Sequence, residues 1–390
     1  MAEHARQHGA GRCRRVIISG HGIDDSGSAA PLLWPIAMTA AEQQPAGTQR
    51  RIRWLEWLVP AVLLPAAVAV IWPRLHYAPT PRPPGPPRAL AIDAAPLTAP
   101  AAPLTAGLVL AGALHLTSAD SNFGGVSGLA ATPDGRLLGI TDAGAWLLLR
   151  PQVVRGQLVG VQPGASIGGL VVSGDRPAYR EKADLDAEAI SITADGETLV
   201  SLEQRHRIIR LAGTGAPRWP LAVHHFTAAA AWPPNGGGEA LAALPDGRWL
   251  WIAEGPRLAN GARQALLISG SSARVIGIAG VPGFDPTDAV AVDASHVAVL
   301  YRRFTGVETA AAISLVDLAP VLAGGGRAPG RVLARWGRGP GWRQTWPVDN
   351  MEGLALVRDG DGAAFYVVSD NNYSALQRTL LLRLRITGQL

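Results

Sequence analysis

Glu239-Ala-Leu-Ala-Ala-Leu-Pro-Asp246-Gly247 is one copy of a phrase that recurs along this chain: a polar residue, a small and aliphatic run, then Asp-Gly seven steps on. The other full copies are Ser127-Gly-Leu-Ala-Ala-Thr-Pro-Asp134-Gly135, Glu188-Ala-Ile-Ser-Ile-Thr-Ala-Asp195-Gly196 and Glu352-Gly-Leu-Ala-Leu-Val-Arg-Asp359-Gly360. A weaker copy, Asp288-Ala-Val-Ala-Val-Asp-Ala-Ser295, keeps the step but lacks the Asp-Gly. Short aliphatic runs bounded by Asp-Gly are hairpin signals, so each copy reads as two strands around a tight turn. Period-2 alternation sets Glu188, Ile190 and Ile192 on one face and Ala189 and Ser191 on the other, with both faces apolar enough to be buried. Successive copies start 61, 51, 49 and 64 residues apart, room for four strands each. The expectation is an all-β fold, a β-propeller of five or six four-stranded blades, any sixth being degenerate. A strand over Leu108 to Leu116 is expected to close the last blade beside Leu380 to Ile386 and so remove a sheet edge.

The formal charge of +5 is unevenly placed: residues 1–88 hold ten Arg against five acids, and the remainder balances. The high pI therefore does not mark a nucleic-acid-binding domain. Cys13 is the lone cysteine and Lys182 the lone lysine, which excludes disulfides from the body and, since Glu181 precedes Lys182, a Walker loop. Gly164-Ala-Ser166-Ile-Gly168 matches a nucleophile elbow in letters only, because no helix is expected after it. Before the repeats, Trp57 to Trp72 is an uncharged, mostly apolar run preceded by Arg50, Arg51 and Arg53. This reads as a signal-anchor transmembrane helix within 50–76, with 1–49 a cytoplasmic tail or an over-extended start. Residues 77–104 are Pro- and Ala-rich and read as a semi-rigid spacer. The organisation implied is a single-pass inner-membrane protein whose domain, 105–390, faces the periplasm.

In a propeller the first strand of each blade lines the channel, so the leading residues Ser127, Glu188, Glu239, Asp288 and Glu352 should form a ring at one mouth. Clustered carboxylates raise one another's pKa and call for a cation, and an oxygen-only donor set suits calcium. Glu188, Glu239, Asp288 and Glu352 are thus candidate metal ligands; the alternative is that each caps backbone amides where its blade begins. A second group ends the second strands: Asp142, Glu203, Glu254, Arg302 with Arg303, and Asp370 with Asn371 and Asn372. Glu188, Glu239, Glu352 and Asp370 are the candidates for acid, base or cation-holding chemistry, and Arg302, Arg303, Asn371 and Asn372 for binding a substrate. The opposing reading of the arginines is ion pairing between blades.

The last unit is the most specific in wording: Asp349-Asn-Met-Glu352-Gly-Leu-Ala-Leu356, then Phe365-Tyr-Val-Val-Ser-Asp370-Asn371-Asn372-Tyr373-Ser374, then Gln377-Arg-Thr-Leu-Leu381. With Gly124-Gly-Val-Ser127-Gly-Leu129, Asp186-Ala-Glu188-Ala-Ile190 and Gly238-Glu239-Ala-Leu-Ala242, it resembles the phytase-like family, also called esterase-like activity of phytase, over about 105–390. Ala189 and Ala240 stand where that family usually has Gly, and Tyr301 precedes Arg302 where a Glu is expected. The resemblance implies an exported propeller with hydrolase activity on a phosphate or carboxylic ester. The alternative function is a non-catalytic propeller that binds a carbohydrate or protein of the cell envelope.

Overall fold

The computed structural model describes residues 85–98, 107–170, 184–215, 220–342, 346–360 and 362–388. The 1–49 tail and the 50–76 segment read as a membrane anchor lie outside the described residues, among which no helix is long and apolar enough to cross a membrane.

Five sheets, antiparallel but for the short edge strand Arg327–Ala328 of the third, follow one another along the chain and make a five-bladed propeller. Their inner strands are Val126–Ala131, Ala187–Ile192, Gly238–Ala243, Asp285–Ala291 and Asn350–Asp359. All five sequence repeats therefore become blades, and among the described residues there is no sixth. At three of the turns Gly135, Gly196 and Gly247 adopt positive φ, 79°, 78° and 85°. Only a residue without Cβ takes that conformation at little cost, and this is the physical content of the recurrent Asp-Gly.

Burial on both faces follows from blade stacking. Along the second strand of blade 2, Leu199 enters the core shared with blade 3 while Val200 enters the core shared with blade 1. Ile208 and Ile209 on the third strand divide in the same way. Each successive pair of blades encloses one such cluster, and the ring ends where blades 5 and 1 share Leu114, Leu129, Leu137 and Tyr366.

Closure runs through strand Leu108–Thr117, which pairs with Thr379–Ile386 from Leu116↔Thr379 to Leu108↔Ile386. A strand from before the first blade thus completes the last one, as the sequence led us to expect. Part of the segment read as a spacer is structured too. Arg88–Ala89 pairs with Ser166–Ile167 at the edge of blade 1, and Asp93–Pro96 pairs with Leu114–Thr117 at the edge of blade 5. Exposed edges carry unpaired N–H and C=O groups, and this segment covers two of them. Leu90 is buried between the two short strands, and an Arg88–Asp120 ion pair of 2.8 Å holds the crossing.

Candidate functional site

Every inner strand opens with the same irregularity. Its pairing skips one residue, so that Ser127, Glu188, Glu239, Thr287 and Glu352 bulge out of the ladder. A bulge re-aims the side chain it carries, here toward the channel mouth. Two residues before each bulge the strand meets the end of the second strand, at Asp142, Glu203, Glu254, Arg302 and Asp370. The two groups read separately from sequence therefore meet in one cavity of about 260 Å³. Its walls carry the carboxylates of Asp142, Asp186, Glu188, Glu203, Glu239, Glu254, Glu352 and Asp370, and a single cation, Arg302.

The fourth blade corrects the sequence phase. Its bulge residue is Thr287, and Asp288 stands one step further in, level with Gly128, Ala189, Ala240 and Gly353. Asp288 does not line the mouth and is not available as a ligand there. It is fully buried, with Oδ2 accepting the N–H of Leu354 at 2.7 Å and of Leu129 at 3.1 Å, and Oδ1 that of Ala289 at 2.8 Å. The carboxylate thus spans the channel from blade 4 to blades 1 and 5. Burial pushes its pKa up, against the pull of those three N–H groups. At the same level Gly128 lets blades 1 and 2 approach closely: a Cβ there would meet the backbone of Ala189 at 2.9 Å.

At the mouth the carboxylates are differently partnered. Glu203 Oε1 accepts the N–H of Gly236 at 2.5 Å and of Gly237 at 3.1 Å, so it is this second-strand residue that caps amides. Glu352 Oε1 lies 3.2 Å from Arg302 Nη1, and Arg302 also donates to Glu254 Oε1 at 3.1 Å and to Asn350 Oδ1 at 3.0 Å. Arg302 is thereby shared among blades 3, 4 and 5, the pairing that was the alternative to substrate binding. Glu188 and Glu239 accept no hydrogen bond or ion pair among the described residues, although Glu239 is only 8% exposed. The amide-capping alternative therefore does not describe these two.

Unpaired burial has electrostatic consequences. Desolvation first, then the neighbouring carboxylates, holds Glu188 and Glu239 well above the usual range for Glu. Burial raises Glu352 to about 7, with Arg302 pulling against it and Glu254 adding to the rise. Asp370 is also raised by burial, against the N–H of Asn372 on its Oδ1 at 2.6 Å. Arg302, facing Glu352, is held more firmly protonated than an ordinary arginine.

Asp186, Glu188 and Glu203 each bring one oxygen to within 4.8 Å of the others. At calcium–oxygen distances of about 2.3–2.6 Å, three such oxygens can share one ion. This donor set fits a hard divalent cation. Asp186 was missed from the sequence because it is not a repeat residue: the same register position holds Gly125, Gly237, Asp285 and Asn350 in the other blades. Its only signal was a carboxylate two residues before Glu188. Asn235 and Asn350 also line the cavity with no periodic signal behind them.

Of the candidate substrate-binding residues, Arg302 and Asn372 reach the cavity, and Arg303 and Asn371 do not. Alternation turns Arg303 away, to Glu308 Oε2 at 3.0 Å and the Gly283 carbonyl at 3.3 Å. Asn371 Oδ1 accepts the N–H groups of Gly125 and Tyr373, both at 3.1 Å, and so joins blade 5 to blade 1.

Among solved structures, virginiamycin B lyase from Staphylococcus aureus is similar at 9% identity over 73% of this chain and 79% of that one, with a TM-score of 0.33. A calcium-binding protein, regucalcin, from Agrobacterium tumefaciens is similar at 14% identity over 78% and 97%, with a TM-score of 0.34. No curated protein matches the chain. The model of the phytase-like family, described as esterase-like activity of phytase, matches residues 121–373, which takes in the inner strand of every blade and all the mouth carboxylates. The chain belongs to the phytase-like family of β-propeller proteins.

Proposed function

We propose that this protein is an ester hydrolase that works at the acidic mouth of the propeller with a divalent cation, calcium by its donor set. One observation carries the reading: eight carboxylates line a cavity with one arginine, and two of them, Glu188 and Glu239, have no partner among the described residues. A phosphate ester would be repelled by such a wall unless positive charge is added. A bound calcium supplies that charge and draws electron density from a phosphoryl or carbonyl oxygen. Asp186, Glu188 and Glu203 would hold it. Glu352, raised to about 7, exchanges a proton near neutrality, which suits it to take one from an attacking water and return it to the leaving alkoxide. Arg302 keeps Glu352 in place and offers its charge to an anionic intermediate.

The pattern of Arg50 to Arg53 followed by Trp57 to Trp72 supports a periplasmic domain tethered to the inner membrane. The deciding test is a panel of phosphate and carboxylic esters assayed with calcium and with chelator. Calcium-dependent turnover that disappears in Glu352→Gln is the expected result; a panel left unhydrolysed in both conditions would sink the enzymatic reading.

One observation favours the alternative, a non-catalytic propeller that binds an envelope carbohydrate or protein. Leu376, Val307 and Phe304 are 85%, 76% and 70% exposed on the hairpins that follow Asp370 and Arg302, beside the same mouth. A binding platform would use such apolar tips, and Phe304→Ser with Leu376→Ser would then abolish envelope binding while leaving any hydrolysis intact.

A further inference from the structure

The second strand of blade 2, Thr198–Leu202, departs from the repeat at the core position beside the bulge. Opposite the residue that follows the bulge, the other blades carry Ile140, Ile252, Leu300 and Val368, all buried between blades. Blade 2 carries Ser201, with no exposure at all. A hydroxyl here forgoes the apolar packing made by the four aliphatic residues and makes two hydrogen bonds in its place. Ser201 Oγ accepts the N–H of Ala189 at 3.1 Å and donates to the carbonyl of Gly238 at 2.9 Å. Ala189 directly follows Glu188, and Gly238 directly precedes Glu239. One side chain thus holds the backbone beside both partnerless carboxylates, on two different blades.

We infer that Ser201 is a positioning residue that sets the separation of Glu188 and Glu239 for cation binding at the mouth; this rests on the reading of the cavity as a calcium site. Glu188 is held from its other side as well, and Glu352, the remaining mouth carboxylate of the inner strands, follows the same rule. Ser127 Oγ donates to the carbonyl of Ala187, before Glu188, at 2.5 Å, and Thr287 Oγ1 donates to that of Met351, before Glu352, at 3.1 Å. The carbonyls before Ser127 and Thr287, the two bulge residues that are not carboxylates, accept no hydroxyl among the described residues. Clamping therefore tracks the carboxylates and not the blades. A fixed backbone on either side of a ligand orients it before the ion arrives, and loss of such supporting bonds costs about 10- to 100-fold in metal affinity.

The test is calcium titration by calorimetry of the full-length protein and three variants. Ser201→Ala removes both bonds. Thr198→Val, on the same strand, removes an equally buried hydroxyl that donates to the Gly213 carbonyl at 2.6 Å, far from the mouth. Ser201→Cys keeps the side-chain size with a weak donor, and serves if the alanine variant does not fold. The expected result is affinity reduced about 10- to 100-fold in Ser201→Ala and measurably in Ser201→Cys, with Thr198→Val at the wild-type value. A purely structural hydroxyl would lower the melting temperature in chelator for Ser201→Ala and Thr198→Val alike and leave calcium affinity unchanged in both; that result overturns the inference alone. Absence of calcium binding to the wild-type protein overturns the cation reading, and the inference with it.

Discussion

The two ends of the propeller channel are built from the same five strands and are chemically opposite. At one end the strands begin, and a bulge in each delivers the polar side chains of the acidic cavity. At the other the same strands run on without irregularity into a cavity of about 230 Å³ lined by Leu129, Ile190, Ile192, Leu244, Val290, Leu356 and small neighbours. Between them lies Asp288, bound to three backbone N–H groups. A repeat thus gains a site by breaking its own ladder at one end and keeping it at the other. At the broken end Glu188 and Glu239 accept no hydrogen bond or ion pair among the described residues, and so are available to a ligand.

The largest effect should come from the residue that divides the two ends. Asp288→Ala orphans the N–H groups of Leu129, Leu354 and Ala289 in a closed interior. At roughly 1–3 kcal/mol for each unsatisfied group, and less than additively, the loss should be about 3–5 kcal/mol. Urea unfolding measures it. A loss below about 1 kcal/mol would mean that water enters the channel and that the ends are continuous.

This residue also marks where sequence reading stopped. The repeat, a number of five or six blades and the closing strand were legible because Asp-Gly turns and aliphatic alternation are local signals of strand pairing. The equivalence of Asp142, Glu203, Glu254, Arg302 and Asp370 was legible for the same reason: the first three lie eight residues beyond their turn Asp, Asp370 lies eleven beyond its own, and Arg302 ends the corresponding strand of the weak copy. In blade 4 the turn is Asp293-Ala-Ser295, without glycine, and a count from Ser295 slips the phase by one. In a strand one step reverses the side chain's direction, so Asp288 was assigned to the mouth when Thr287 belongs there. Asp186 was illegible because its ladder position holds a different residue in most blades, and Asn235 because it reaches the cavity from a loop, where position is set by tertiary packing and no period exists to read.

The next effect separates the ends by their response to pH. Glu352 is raised from the ordinary 4.5 to about 7, so the folded protein binds its proton more tightly than the unfolded chain does. Between about pH 4.5 and 7 the native state therefore holds more protons, and stability must fall as pH rises through that window. In chelator the fall attributable to Glu352 should be on the order of 2–3 kcal/mol. Glu352→Gln should flatten the profile by that amount, whereas substitutions at the apolar end should leave its slope unchanged. Calcium should oppose the trend, because a cation binds best to the ionised mouth. A wild-type profile in chelator that rises from pH 5 to 7 would mean that Arg302 outweighs burial at Glu352.

A smaller effect tests whether the free carboxylates serve a ligand. Glu239→Gln removes a buried charge that has no partner among the described residues, so in chelator the variant should match or slightly exceed wild-type stability. With saturating calcium it should gain about 1–2 kcal/mol less than the wild type, since weaker binding stabilises less by mass action. The double difference in melting temperature, variant against wild type and calcium against chelator, reads this directly. Equal calcium-induced shifts would remove Glu239 from the ligand set and leave Asp186, Glu188 and Glu203 as the whole of it.

The smallest effect concerns a hydroxyl at the apolar end that mirrors Ser201. Ser191 Oγ accepts the N–H of Ala243 at 2.9 Å, joining blade 2 to blade 3 as Ser201 does, and it lines the apolar cavity. Ala243 is only half-buried, so water can take over the lost bond in part. Ser191→Ala should therefore cost about 1 kcal/mol, the ordinary net value of one hydrogen bond, with no change in calcium affinity. The two serines join the same blades by the same kind of bond and differ in which end of the channel they face. If both weaken calcium binding, alignment of blades 2 and 3 as whole bodies sets the mouth, and the ends are mechanically coupled. If only Ser201→Ala does, geometry at the mouth is fixed locally, bulge by bulge.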